Sequence, residues 1–375
     1  MKILKLLSIF GIFLGLSLIA FSLYFTFLPL KETSPSTTQS QSNKITEPES
    51  TQQEEPVIED VKQEELKESG WIPNWSFDTG ITSVRKNIKI LDEINPVLYS
   101  INNDGTLSKR TVLSTSIKEL NSLAKDNDIQ VIPTVGSYDY TSTTAMFKNS
   151  SIYKNNISSI IGEIEKYDFD GIDLDFEQIK SEYRDTFIQY LQELKNELSK
   201  KNKILSVTVF AQWDNAEYKT NSETVKVQDL AQIGQIADRV KVMAYDYTEF
   251  TSSKPGPIAP IDWIEKVLKY STARIEKEKI YLGVHLYGYE WVGEKTEALT
   301  YTSVKNILDT LSIKNAYNED VAEGYAKFSC EKGKETCEMY FQTKEGISKR
   351  KELANKYEIK GISYWRLGGE LDILH

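Results

Sequence analysis

Residues 170–177 read Asp170-Gly171-Ile172-Asp173-Leu174-Asp175-Phe176-Glu177, acids alternating with Ile, Leu and Phe. Successive side chains of a strand point to opposite faces. Asp173, Asp175 and Glu177 therefore share one face, and Ile172, Leu174 and Phe176 share the other. An acidic loop is the bland alternative, but it would not need the apolar alternation. On a buried strand the acids are costly. Neighbours on the acidic face would stand about 7 Å apart. Three carboxylates so close do not all ionise easily, so at least one is expected to hold its proton near neutral pH. A held proton is what a general acid needs. A divalent-cation site with oxygen ligands is the other chemistry such a row could serve.

Outward from this row the chain repeats one pattern. Short apolar runs recur at Trp71–Trp75, Pro96–Ile101, Gln130–Val135, Gly171–Phe176, Leu205–Phe210, Val240–Tyr245, Ile280–Tyr287 and Gly361–Trp365. Stretches with helical spacing lie between most of them, such as Ile117, Leu120, Leu123 and Ala124, or Phe187, Tyr190, Leu191, Leu194 and Leu198. Eight strand-like runs separated by helices predict an α/β protein, a (β/α)8 barrel. An open doubly wound sheet is the alternative, but no glycine-rich phosphate loop follows the first strand. Glu177, last in its row, would sit nearest the C-terminal mouth, where barrel active sites are built. The stretch from about 292 to 345 is longer than a crossover helix needs, and a small α+β insertion is expected there, between strands seven and eight.

Residues 1–69 differ from the rest of the chain. Residues 6–30 carry no charge and are long enough to cross a bilayer core as a helix. With Lys2 and Lys5 ahead of it, residues 1–31 are expected to form a single-pass anchor that leaves the rest outside the membrane. A cleaved signal peptide is the alternative. Residues 32–69 hold ten acids, three lysines and no aromatic residue, which predicts a disordered acidic linker. Of the net charge of −10, that linker carries −7 and the anchor +3, leaving −6 for the domain at 70–375. No basic excess is left to bind nucleic acid. An apolar content of 40% excludes a polytopic membrane protein as well as a collagen. Cys330 and Cys337 fall in an expected hairpin of the insertion. In an exported domain a disulfide between them is expected, with two free thiols as the alternative. A metal site is disfavoured, because neither His285 nor His375 is near them in sequence.

The pattern DxxDxDxE that starts at Asp170 resembles the signature of family 18 glycoside hydrolases, the chitinase-like (β/α)8 enzymes. Met243-Ala244-Tyr245-Asp246-Tyr247 resembles the motif of the sixth strand. Pro255–Pro260 with Trp263, Leu282–Tyr289 and Gly361–Gly368 are similar to later motifs. Together with Trp75-Ser76-Phe77-Asp78 and Asn102-Asn103-Asp104-Gly105, these look closest to the bacterial branch of spore-cortex N-acetylglucosaminidases. The resemblance covers nearly all of 70–375. It departs at His285, where that branch usually has proline. It also departs in having an anchor and linker where the branch often carries LysM modules.

The resemblance implies a retaining, substrate-assisted hydrolase of β-1,4 bonds beside N-acetylglucosamine. Glu177 would be the general acid and base. Asp175 would orient the substrate's acetamido group, Asp173 would share a proton with Asp175, and Tyr245 would donate to the acetamido oxygen. Trp365 matches the tryptophan under the cleaved sugar. Trp75, Trp213 and Trp291 are further candidates for sugar contact, since a pyranose has an apolar C–H face. Asp246 would either touch the sugar or brace Tyr245. Trp263 and His285 read as packing residues. No cofactor is implied, and a monomer is expected. The partner implied is an N-acetylglucosamine-containing polysaccharide, either peptidoglycan or chitin-type oligomers. A catalytically silent, lectin-type protein and a tethered wall scaffold are the competing readings.

Overall fold

The computed structural model describes residues 65–215, 222–314, 316–330 and 336–375. The expected anchor at 1–31 and the expected linker up to residue 64 lie outside the described residues. Among the described residues no helix is long and apolar enough to cross a membrane.

In chain order the strands begin with β1 (Lys67–Ile72) and β2 (Glu93–Ile101), then short β3 (Leu107–Lys109), β4 (Gln130–Val131) and β5 (Thr134–Ser137). They continue with β6 (Gly171–Phe176), β7 (Ile204–Phe210), β8 (Arg239–Met243) and β9 (Ile280–His285). The insertion follows as β10 (Tyr287–Val292), β11 (Lys295–Thr300), β12 (Tyr317–Asn318), β13 (Glu323–Ser329) and β14 (Thr336–Phe341), and β15 (Gly361–Trp365) ends the series. Strands β1, β2, β5, β6, β7, β8, β9 and β15 pair in parallel, and β15 pairs with β1 to close them into a barrel. Each of the eight expected apolar runs lies on or beside one of these strands. The acidic strand shows why they form: Ile172, Leu174 and Phe176 are at most 2% exposed and face outward, with the Phe176 ring 6.3 Å from Phe187 and 6.1 Å from Tyr190. Both partners lie on the helix Arg184–Ser199, whose 3.6-residue spacing turns one apolar stripe to the sheet.

Three boundaries differ from expectation. The first strand opens at Lys67, inside the stretch expected to be linker, and Leu66 packs on the core. Its polar start is held by contacts distant in sequence: Lys67 to Asp92, and Glu68 to Lys351 and Tyr364. Trp75 therefore lies beyond the strand, in a short turn at Asn74–Ser76. The insertion sheet, in the order β11-β10-β14-β13-β12, spans 287–341 rather than 292–345. Cys330 and Cys337 are bonded across its β13–β14 hairpin, with Cα atoms 5.5 Å apart.

Below the acid row the barrel interior is polar and paired. Lys241 is fully buried, with Nζ 2.6 Å from Glu93 Oε1, and it also donates to Asn95; Arg239 closes on the other Glu93 oxygen. Burial, the main cause, brings the Lys241 amine down to about 7. The insertion is tied to the barrel by Glu323, which accepts from the backbone of Ile258 (2.9 Å) and Ala259 and from Arg350 (3.2 Å).

Candidate active site

Strand β6 delivers its acids to three different environments. Asp173 lies deepest and is fully buried. The register sets Thr134 of β5 and Ser206 of β7 beside it. Its carboxylate accepts from Ser206 Oγ (2.6 Å), Thr134 Oγ1 (2.9 Å), Thr208 Oγ1 (3.1 Å) and the Trp71 indole Nε1 (3.2 Å). Asp175, one step up and 7% exposed, has a single donor among the described residues, the Tyr138 hydroxyl, 3.1 Å from Oδ2. Its Oδ1 is buried with no partner among the described residues. The carboxylate of Glu177, higher still and partly exposed, receives no donor among the described residues.

The electrostatics follow this loss of donors. Burial lifts the Glu177 carboxyl from 4.5 to about 7, with the Asp246 charge as the second cause. Burial also lifts Asp175 well above the usual carboxylate range. The charges of Glu177 and Asp173 add to that rise, while the Tyr138 bond and the Arg110 charge oppose it. Both shifts favour a held proton near neutral pH.

Tyr245 and Asp246 follow β8 after Ala244. The Tyr245 ring approaches so near β9 that a Cβ on Gly283 would stand 3.0 Å from it. Burial, together with the surrounding acids, holds its hydroxyl protonated as a donor. Asp246 adopts a left-handed backbone, φ 59°, and its Oδ1 accepts from the hydroxyls of Tyr287 and of Tyr289 (2.7 Å). It is thus braced by the insertion's first strand, and its charge acts on Glu177. Asp170, at the opposite end of β6, accepts from the Val131 amide (2.8 Å) and lies outside the acid row.

Trp365 ends β15 at the mouth, partly exposed, with its ring edge-on to Trp71 at 6.0 Å. Trp75 is 63% exposed with the Arg366 guanidinium 5.9 Å from its ring, so one broad face is open. Trp213 is partly buried and packs edge-on against Trp263. Trp291 corrects the expectation for the aromatics. It is 1% exposed inside the insertion, and its indole donates to the Ser252 carbonyl (2.9 Å), leaving no face for a sugar. His285 and Trp263 are buried, as packing residues would be.

Several residues of the site were not foreseen: Trp71, Thr134, Ser206, Thr208, Tyr138 and Arg110. Gly136 was the available signal for Tyr138. A Cβ there would meet the Tyr138 hydroxyl at 2.4 Å, so the glycine clears the path by which Tyr138 reaches Asp175. Among the described residues, no group of three His, Cys, Asp or Glu is arranged to hold a metal ion.

A closed parallel barrel with paired and unpaired acids at its C-terminal mouth defines the class, a (β/α)8 protein built for acid–base chemistry. The chain belongs to the glycosyl hydrolases family 18, which matches residues 36–370. It is 25% identical over 292 residues to the cortical fragment-lytic enzyme of Bacillus anthracis, covering 73% of this chain and 66% of that one. The crystal structure of the Bacillus cereus spore cortex-lytic enzyme SleL superposes with a TM-score of 0.74 at 20% identity, over 81% of this chain and 71% of the other. A chitinase from Chromobacterium violaceum gives 0.75 at 20% identity, over 82% and 96%. The chain spans 52% to 68% of the length of the curated Bacillus relatives it matches.

Proposed function

We propose that this protein hydrolyses β-1,4 bonds next to N-acetylglucosamine with retention of configuration, using the substrate's own acetamido group as the nucleophile. The observation that carries this reading is the unpartnered Oδ1 of Asp175, buried beside Glu177. An orphaned buried acceptor is costly, and an acetamido N–H is a donor that would fill it. The lack of a donor to Glu177 among the described residues suits a carboxyl that must release and regain a proton.

The steps then run in order. Glu177 gives its proton to the glycosidic oxygen and the C1–O bond breaks. The acetamido oxygen attacks C1 from the opposite face and forms an oxazolinium ion. Asp175 holds the acetamido N–H and offsets the positive charge, while Tyr245 donates to the acetamido oxygen. Water then adds to C1, and Glu177 takes back the proton. Two displacements at C1 leave the anomer retained. Trp365 offers the apolar platform for the cleaved sugar.

The apolar stretch 6–30 and the acidic linker would hold the barrel outside a membrane, with a flexible reach of roughly 30–40 Å. Peptidoglycan is then the first glycan in range in a bacterial wall. The test compares wild type with Glu177→Gln on N-acetylglucosamine oligomers and on purified peptidoglycan. A loss of about 10²–10⁴-fold in turnover is expected. Equal product release by the two proteins would sink the hydrolase reading.

A further inference from the structure

The mouth of this barrel is acidic, yet among the described residues one arginine beside it makes no side-chain hydrogen bond or ion pair. Arg110 follows β3, and its backbone N–H is fixed to the Leu98 carbonyl of β2 at 2.8 Å. Its guanidinium carbon lies 5.3 Å from the centre of the Tyr138 ring, the ring whose hydroxyl binds Asp175. Its charge is felt by both Asp175 and Tyr138. Among the described residues the Arg110 side chain makes no hydrogen bond or ion pair, and its Nε is buried without a partner. Every other arginine among them donates a side-chain hydrogen bond to a carboxylate, carbonyl or hydroxyl. Arg110 is the exception, and it stands beside the reaction centre.

An unpaired, partly buried guanidinium is a cost unless something arrives to meet it. Its planar fork matches a carboxylate with two parallel hydrogen bonds, a match that a neutral sugar hydroxyl does not provide. The Asp175 carboxylate does not supply the partner, since it accepts from Tyr138 and leaves its other oxygen unbonded.

We propose that Arg110 is a specificity residue that binds a carboxylate carried by the glycan, on a sugar next to the cleaved bond. The substrate class is then an N-acetylhexosamine chain with ether-linked carboxylates, of the muramic acid kind, in preference to neutral N-acetylglucosamine polymer. This rests on the hydrolase reading above, but binding tests it apart from turnover.

The experiment uses full-length protein in detergent, with Glu177→Gln to block cleavage. Calorimetry compares a neutral N-acetylglucosamine tetrasaccharide with a peptide-free tetrasaccharide alternating N-acetylglucosamine and N-acetylmuramic acid. The acidic ligand should bind more tightly, and adding Arg110→Gln should cut that preference by about tenfold or more, with Arg110→Lys in between. As a control free of any change at Arg110, amidating the ligand's carboxylates should remove the preference. Equal affinity for the two ligands before Arg110 is changed would overturn the proposal. So would an equal loss on both, which would make Arg110 a positioning residue for Tyr138 and Asp175. Absence of cleavage by wild type would fell the hydrolase reading, while the binding preference would still decide the role of Arg110.

Discussion

Replacing Asp246 with Asn removes one negative charge beside Glu177 and leaves an amide oxygen for the Tyr287 and Tyr289 hydroxyls. A negative neighbour disfavours the carboxylate, so its loss lets Glu177 release its proton at lower pH. Burial is the larger cause of the rise from 4.5 to about 7, and Asp246 the smaller. The smaller cause supplies less than half of the rise, so the basic limb of kcat/KM should move down by up to about one pH unit. The general acid must be protonated at the start of the reaction, so activity falls as pH rises through its pKa. With the limb moved from about 7 to ~6, the protonated fraction at about pH 7.5 drops roughly eightfold, and at about pH 5 it drops only ~10%. The ratio of wild-type to variant kcat/KM should therefore grow about sevenfold across that range, beyond any uniform loss. Release of a fluorescent aglycone from an N-acetylglucosamine oligosaccharide, at substrate well below KM, measures it. A basic limb that stays in place or moves upward would refute this electrostatic role for Asp246.

Two tryptophans should separate cleanly. Trp365→Ala removes a partly exposed ring at the mouth and should lower kcat/KM by about tenfold or more with little change in the urea midpoint. Trp291→Ala empties a buried site in the insertion and should cost about 3–5 kcal/mol on urea unfolding; an unchanged midpoint would contradict its placement in the core. Replacing both Cys330 and Cys337 by Ser opens a short loop and should cost about 2–3 kcal/mol, read the same way. Matching unfolding curves before and after reduction would count against a stabilising bridge.

Parallel strands buried on both faces read as short apolar runs, so the barrel strands were visible in the sequence as such. The start of β1 was not, because Lys67 and Glu68 are polar and take their partners from Asp92, Lys351 and Tyr364. A tryptophan at a strand's end carries no local sign of which way it faces. Trp291 looked like Trp365 until β10 proved to belong to a second sheet, with β11 and β14 paired on either side. The acid row was legible because one strand carries it at period two. Its surroundings were not, since Tyr138 and Asp175 are 37 residues apart and meet only when β5 lies beside β6.

The donors around the row also bear on which acid can exchange a proton during turnover. Both oxygens of Asp173 are occupied: Oδ1 by Ser206 and Thr208, Oδ2 by Trp71, Thr134 and again Thr208. Four side chains thus fix the Asp173 carboxylate in place. The Asp173 charge is one cause of the rise at Asp175. Asp175 differs, with one oxygen unbonded and one donor on the other. When an acetamido N–H arrives at that oxygen, a proton on Asp175 would compete with it, so binding favours the ionised form. The second negative charge would then add to the repulsion around Glu177, which receives no donor among the described residues, and favour the protonated carboxyl there. On the proposed mechanism, substrate binding and the arming of Glu177 would in this way be one electrostatic event, running up a single strand.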